Sequence, residues 1–169
     1  MAIVYTKSAA LTGMDTAGQA PSARTARGAV HAAYGSVAVA SGDSIASVLR
    51  LCRVPSNARV ARIYLKITGT ITTAAGDIGV YRFSKETLSA GAVVDVDLFA
   101  SAQALSTAIP TWTDVTNEST TITALNADQP LWQMAGMTAD PGEYLEIAIT
   151  LTAAAGAAGN IAMEVVYVE

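Results

Sequence analysis

From residue 36 onward, much of this chain alternates apolar and polar side chains with a period of two. The cleanest stretch is 58–68, where Ala61, Ile63, Leu65 and Ile67 fall on one side and Arg62, Tyr64 and Lys66 on the other. Such a period puts one face of a strand in a core and the other in water. In 143–152, Leu145, Ile147, Ile149 and Leu151 alternate with Tyr144, Glu146, Ala148 and Thr150. In 161–168, Ile161, Met163, Val165 and Tyr167 alternate with Ala162, Glu164, Val166 and Val168. Shorter strand signals occupy 36–40, 45–54, 78–82, 92–95, 111–115 and 119–124. Pro55, Ser56 and Asn57 are turn residues, and they predict a hairpin between 45–54 and 58–68.

Two short helical turns are expected between strands. Asp97 is placed to cap 98–105, with Leu98, Ala102 and Leu105 near one face. Pro130 suits the first turn of 131–135, and Gly136 the position just past its end. Both would be lids over the open ends of a layered structure. Eight or so short strands without a long helix predict an all-β fold, an antiparallel β-sandwich. A jelly roll and an immunoglobulin-like sandwich both fit this pattern.

Residues 1–35 break the pattern. They are rich in Ala, Gly, Ser and Thr, carry Pro21, and have few large apolar side chains beyond Ile3, Val4, Tyr5 and Met14. Such a segment cannot offset its ordering entropy alone. It is either a loose tail or, the favoured expectation, an extended N-terminal arm ordered by a partner, ahead of a sandwich domain at 36–169. Tyr5, Lys7, Arg24, Arg27 and Tyr34 are the arm residues expected to contact another protein.

Composition strengthens the expectation of assembly. The chain has 169 residues, 51% hydrophobic and only 14% charged. So few charges cover a monomer's surface poorly, and burial against other subunits resolves this. Charge is also uneven. Residues 1–62 hold seven Lys/Arg against Asp15 and Asp43, whereas the remainder holds three basic and twelve acidic residues. Seven scattered charges do not make the dense basic surface that nucleic acid requires. They fit a basic front half that meets acidic protein surface, its own or a neighbour's. No apolar run is long enough for a membrane span. The first fifteen residues lack the layout of a secretion signal, so the sequon at Asn117-Glu118-Ser119 reads as chance.

Candidate chemistry is sparse. The one histidine, His31, lies in the low-complexity front segment, and the one cysteine, Cys52, sits in an apolar stretch as a small buried side chain would. Asp95 and Asp97 form the tightest acidic pair, a pattern that can serve a cation or acid–base chemistry. Capping and strand-end roles explain them more simply. Trp112 and Trp132 could stack on a sugar, or fill a core. No phosphate loop is present. The expectation is a protein that is not an enzyme and has no cofactor or metal.

Several segments, in order, carry a resemblance. They are 54–69 (VPSNARVARIYLKITG), 75–82 (AGDIGVYR), 91–105 (GAVVDVDLFASAQAL), 130–137 (PLWQMAGM) and 141–168. Together they resemble bacteriophage head-decoration, or capsid cement, proteins. The resemblance implies a β-sandwich, often a jelly roll, on the capsid exterior of a virion, made in the host cytoplasm. It implies a homo-oligomer, dimer or trimer, that bridges major capsid protein subunits, with no nucleic acid, membrane or catalytic motif involved. The alternative from the residues is a carbohydrate-binding or fibre-type sandwich module, which would expose Trp112 or Trp132 in a groove.

Overall fold

Leu145, Ile147, Ile149 and Leu151 are all buried, and with their alternating partners they form one of the two central strands of a four-stranded sheet in a computed structural model of the protein. The structure describes residues 29–83, 90–116 and 129–169. Eight strands are present among them: β1 (Val30–Val39), β2 (Val48–Pro55), β3 (Arg59–Thr68), β4 (Ala75–Arg82), β5 (Val93–Ala104), β6 (Ile109–Asp114), β7 (Tyr144–Ala153) and β8 (Gly159–Val168). A single turn of helix, α1 (Leu131–Met134), precedes β7. Of the strand signals, 119–124 lies outside the described residues.

The strands form two four-stranded antiparallel sheets, ordered β1-β8-β3-β6 and β2-β7-β4-β5. First pairs with last, β2 with β7, β3 with β6 and β4 with β5. This nested pairing is a long hairpin rolled up on itself, which is the jelly-roll arrangement. The core lies between the sheets and includes Phe99, Ile63, Leu65, Ile67, Ile78, Leu105 and Ile147. The all-β sandwich expected from the alternation is thus present, and of the two topologies that fitted, it is the jelly roll.

Four expectations need correction. The Pro55–Asn57 turn does not close a hairpin, because β2 lies in one sheet and β3 in the other. The turn is an arch between layers. Its backbone docks on α1, with the Leu131 amide donating to the Ala58 carbonyl (2.8 Å) and the Trp132 amide to that of Ser56 (3.0 Å). Turn chemistry is the same for hairpins and arches, and only the more distant partners β7 and β8 separate them.

The helix expected over 98–105 is instead the latter half of β5. Pairing with β4 satisfies its backbone, whereas two turns of helix are marginal by themselves. The pairing is irregular. Ile78 pairs with Ala100 but Val80 with Asp95, so β4 advances two residues while β5 advances five. The extra residues fold over β4 at Gly79, where an added Cβ would lie 2.2 Å from the Asp95 and Val96 carbonyl oxygens. This displacement also explains why Leu98, Phe99 and Ala100 are buried in succession. A smaller, one-residue bulge between Val60 and Arg62 exposes Ala61, which the alternation had placed inward.

The fourth correction concerns the front boundary. Residues 30–35, assigned to the arm, belong to β1 and pair with β8 through to Val30 and Val168. Residues 1–28 lie outside the described residues. The second expected helix is present: Leu131 follows Pro130, and Gly136 beyond the helix end has a positive φ of 71°.

Candidate interaction surface

β8 and β3 lie at the centre of the first sheet, so their outward side chains, with those of β1 and β6, make one broad face. Register builds it row by row. Tyr34, Glu164, Tyr64 and Asp114 lie side by side across the four strands. Ala32, Val166 and Arg62 form the next row, and Ser36, Ala162 and Lys66 the row on the other side. Val30 and Val168 flank these at the end where β1 begins. The face is therefore mixed: Ala32, Ser36, Ala162, Val30, Val166 and Val168 are small or apolar, while Glu164, Asp114, Arg62 and Lys66 put charges of both signs among them, beside Tyr34 and Tyr64. Val30 is 70% exposed and Tyr34 67%.

The Tyr34 hydroxyl donates to Glu164 Oε1 at 2.7 Å. That bond, with burial and the Glu164 charge, holds the phenol above its ordinary pKa. Tyr34 is thus a neutral donor fixed on the face. Arg62 pairs with Asp114 at 3.2 Å in the same region. Trp112, two residues along β6 from Asp114, is 42% exposed. Trp132 instead packs, partly buried, against the core from α1.

The outer side of the second sheet is tied down. Glu146 is 2% exposed, yet it receives two bonds from Arg50 (Nε and Nη2, both 2.7 Å) and one from Arg53 (Nε, 2.8 Å). Burial works against its ionisation, but the two guanidinium groups outweigh this and hold its pKa below the ordinary value. Arg53 also stacks over Phe83, 4.4 Å from the ring centre. Arg50, Arg53 and Arg62 from the basic front half therefore meet Glu146 and Asp114 from the acidic remainder, within one chain.

The residues singled out for chemistry are scattered. His31 stacks on Tyr167 with ring centres 5.5 Å apart. Cys52 is buried beneath β1 and β8, its thiol directed at the Ala33 and Met163 carbonyls (3.5 and 3.7 Å), and burial pushes its pKa up to about 12. A protonated, enclosed thiol is a poor nucleophile. Asp95 accepts from the Asp97 amide at 3.3 Å inside the β5 bulge, so the pair shapes a local turn. Burial raises the Asp95 pKa. Among the described residues no group of three or more His, Cys, Asp or Glu side chains could hold a metal ion. No described helix is long and apolar enough to cross a membrane. Of the expected interface residues, Tyr34 sits on the first sheet's outer face, while Tyr5, Lys7, Arg24 and Arg27 lie outside the described residues. Sequence reasoning missed Glu164 as its partner, and Tyr64 and Asp114 in the same row, because their alignment depends on sheet order.

The fold defines the chain as a jelly-roll β-sandwich. No family model and no curated protein matches the sequence. Solved structures match in fold. A chain of the Ralstonia phage GP4 capsid is similar over 84% of this chain and 85% of that one, with a TM-score of 0.56 and 16% identity. A chain of the cyanophage Pam1 capsid asymmetric unit is similar over 83% and 85%, with a TM-score of 0.49 and 19% identity. At these identities the likeness is one of fold.

Proposed function

We propose that this protein is a structural component of a phage virion that decorates the capsid exterior and stabilises it by bridging major capsid subunits. The observation that carries this reading is the fold shared, along more than four-fifths of both chains, with a chain of the Ralstonia phage GP4 capsid. The outer face of the first sheet, where exposed Val30 and Tyr34 lie among small residues and charges of both signs, supports it as a surface suited to protein. In this reading the sandwich sets the position, and the arm, with Tyr5, Lys7, Arg24 and Arg27, reaches onto a neighbour. Single surface charge contacts contribute about 0–1 kcal/mol each. Attachment rests on apolar burial repeated over many symmetric copies.

The test is co-sedimentation of the purified protein with phage capsids that lack it. Binding that saturates at a fixed ratio to the major capsid protein, and that raises capsid resistance to heat, is expected. Failure to bind such particles would remove the reading. The exposure of Trp112 on the edge strand β6 favours a second one, a carbohydrate-binding module. It expects Trp112 fluorescence to respond to a glycan panel.

A further inference from the structure

Four strands border the two sheets, and three of these edges carry features that discourage further pairing. β2 has Arg50 and Arg53, a register shift between Arg50 and Cys52, and ends at Pro55. β5 is interrupted by three register shifts and carries Asp95 and Asp97. β6 is six residues long and includes Pro110. β1 differs. It runs ten residues, VHAAYGSVAV, with no proline and no Lys, Arg, Asp or Glu, and its register with β8 is unbroken. Among the described residues its other edge has no strand beside it.

The direction of its backbone groups follows from one bond. The Glu169 amide donates to the Ala29 carbonyl at 3.2 Å, in the same register as Val30 with Val168. In an antiparallel ladder, hydrogen-bonded pairs alternate with pairs that are not bonded to each other. Odd-numbered residues of β1 therefore bond to β8. The Cys52 thiol agrees, since the Ala33 and Met163 carbonyls it approaches both lie between these strands. The amides and carbonyls of Val30, Ala32, Tyr34, Ser36 and Ala38 consequently point to the open edge.

We infer that β1 is a docking edge for a second copy of this chain, paired antiparallel with β1 of that copy about a two-fold axis. A two-fold contact must be complementary to itself. A strand without charge meets its own copy with no like-charge pair. Pairing also requires even residues to face even residues. With Tyr34 opposite Tyr34 of the second copy, Ala32 faces Ser36 and Val30 faces Ala38. All five outward residues then pair, for about ten backbone hydrogen bonds. A slip of two residues either way leaves one outward residue of each strand unpaired, with about eight bonds. The two first sheets become one continuous eight-stranded sheet, and the tyrosine faces join. This inference is independent of the capsid reading, because it concerns only the protein's contact with itself.

Sedimentation of the full-length protein tests it, with two variants. Wild type is expected as a concentration-dependent dimer. Ser36→Pro removes an amide that points outward and so spares the bonds to β8. It is expected to keep the wild-type circular dichroism and to weaken dimerisation at least about tenfold. Tyr34→Cys brings two thiols within disulfide reach, since bonded pairs have Cα atoms about 5.5 Å apart. Under oxidation it is expected to give a reducible dimer, which Ile45→Cys, equally exposed but off this edge, does not form. A wild type that stays monomeric at its solubility limit, or forms trimers, overturns the proposal. So does a Ser36→Pro dimer as tight as wild type. So does Tyr34→Cys that cross-links to a cysteine placed in residues 2–6 and not to itself, which would make the arm the occupant.

Discussion

The carbonyl oxygen of Leu51 occupies the place where a side chain on residue 35 would begin: a Cβ added to Gly35 would lie 2.0 Å from it. Leu51 is the extra residue in the β2 bulge, between Arg50 paired with Ala148 and Cys52 paired with Ile147. The two sheets are thus pinched together at one edge, backbone against backbone. Gly35→Ala must push β1 off β2, and overpacking of this kind costs about 1–3 kcal/mol. Because backbone atoms yield less than side chains, the upper part of that range is expected. A drop in the urea midpoint with unchanged slope will show it.

Glu146 sets a dependence on acidity. Its folded pKa is depressed below 4.5, so its contribution to stability is full above that value and is lost as pH falls through the folded pKa. Glu146→Gln leaves Arg50 and Arg53 without their anion. Given the partial exposure of the two arginines, it is expected to cost about 2–3 kcal/mol at neutral pH. Urea unfolding from pH 7 down to pH 3 should show the gap between wild type and variant narrowing toward the acid end. Parallel curves would refute the assignment.

Cys52 should be silent in the native protein. With its thiol enclosed and its pKa near 12, labelling by a thiol reagent at pH 8 should proceed only through unfolding. The labelling rate should therefore rise with urea in step with the loss of structure. Fast labelling in native buffer would contradict the burial.

The arm can be separated from the sandwich. β1 keeps its whole ladder from Val30 to Val39 without residues 1–28. Removing 1–28 is therefore expected to leave the strand spectrum intact and to reduce the amount bound to capsids several-fold. Equal occupancy with and without the segment would show that the sandwich alone makes the attachment.

Much of the fold was readable residue by residue. β3, β7 and β8 stood out because each keeps its large aliphatic side chains mostly to one side. The α1 boundaries were readable because Pro130 and Gly136 carry local backbone preferences. β5 was misread for a related reason. Leu98, Ala102 and Leu105 have helical spacing, and the bulge over Gly79 that buries Leu98, Phe99 and Ala100 together depends on β4, which lies fifteen or more residues earlier. Glu146 showed only as a polar position in alternation. Nothing local marked it as the acceptor of two arginines more than ninety residues away.

The sequence by itself determined the all-β class, the strongest strands and the lid helix, since these follow from side-chain alternation and backbone preference within a few residues. Only the tertiary structure decided which strands are neighbours: β1 beside β8, β2 beside β7, and the Pro55–Asn57 turn as an arch between sheets. Those pairings close long loops and are selected by the packing of whole faces. That is why the row of Tyr34, Glu164, Tyr64 and Asp114, and the open edge of β1, came into view only with the folded chain.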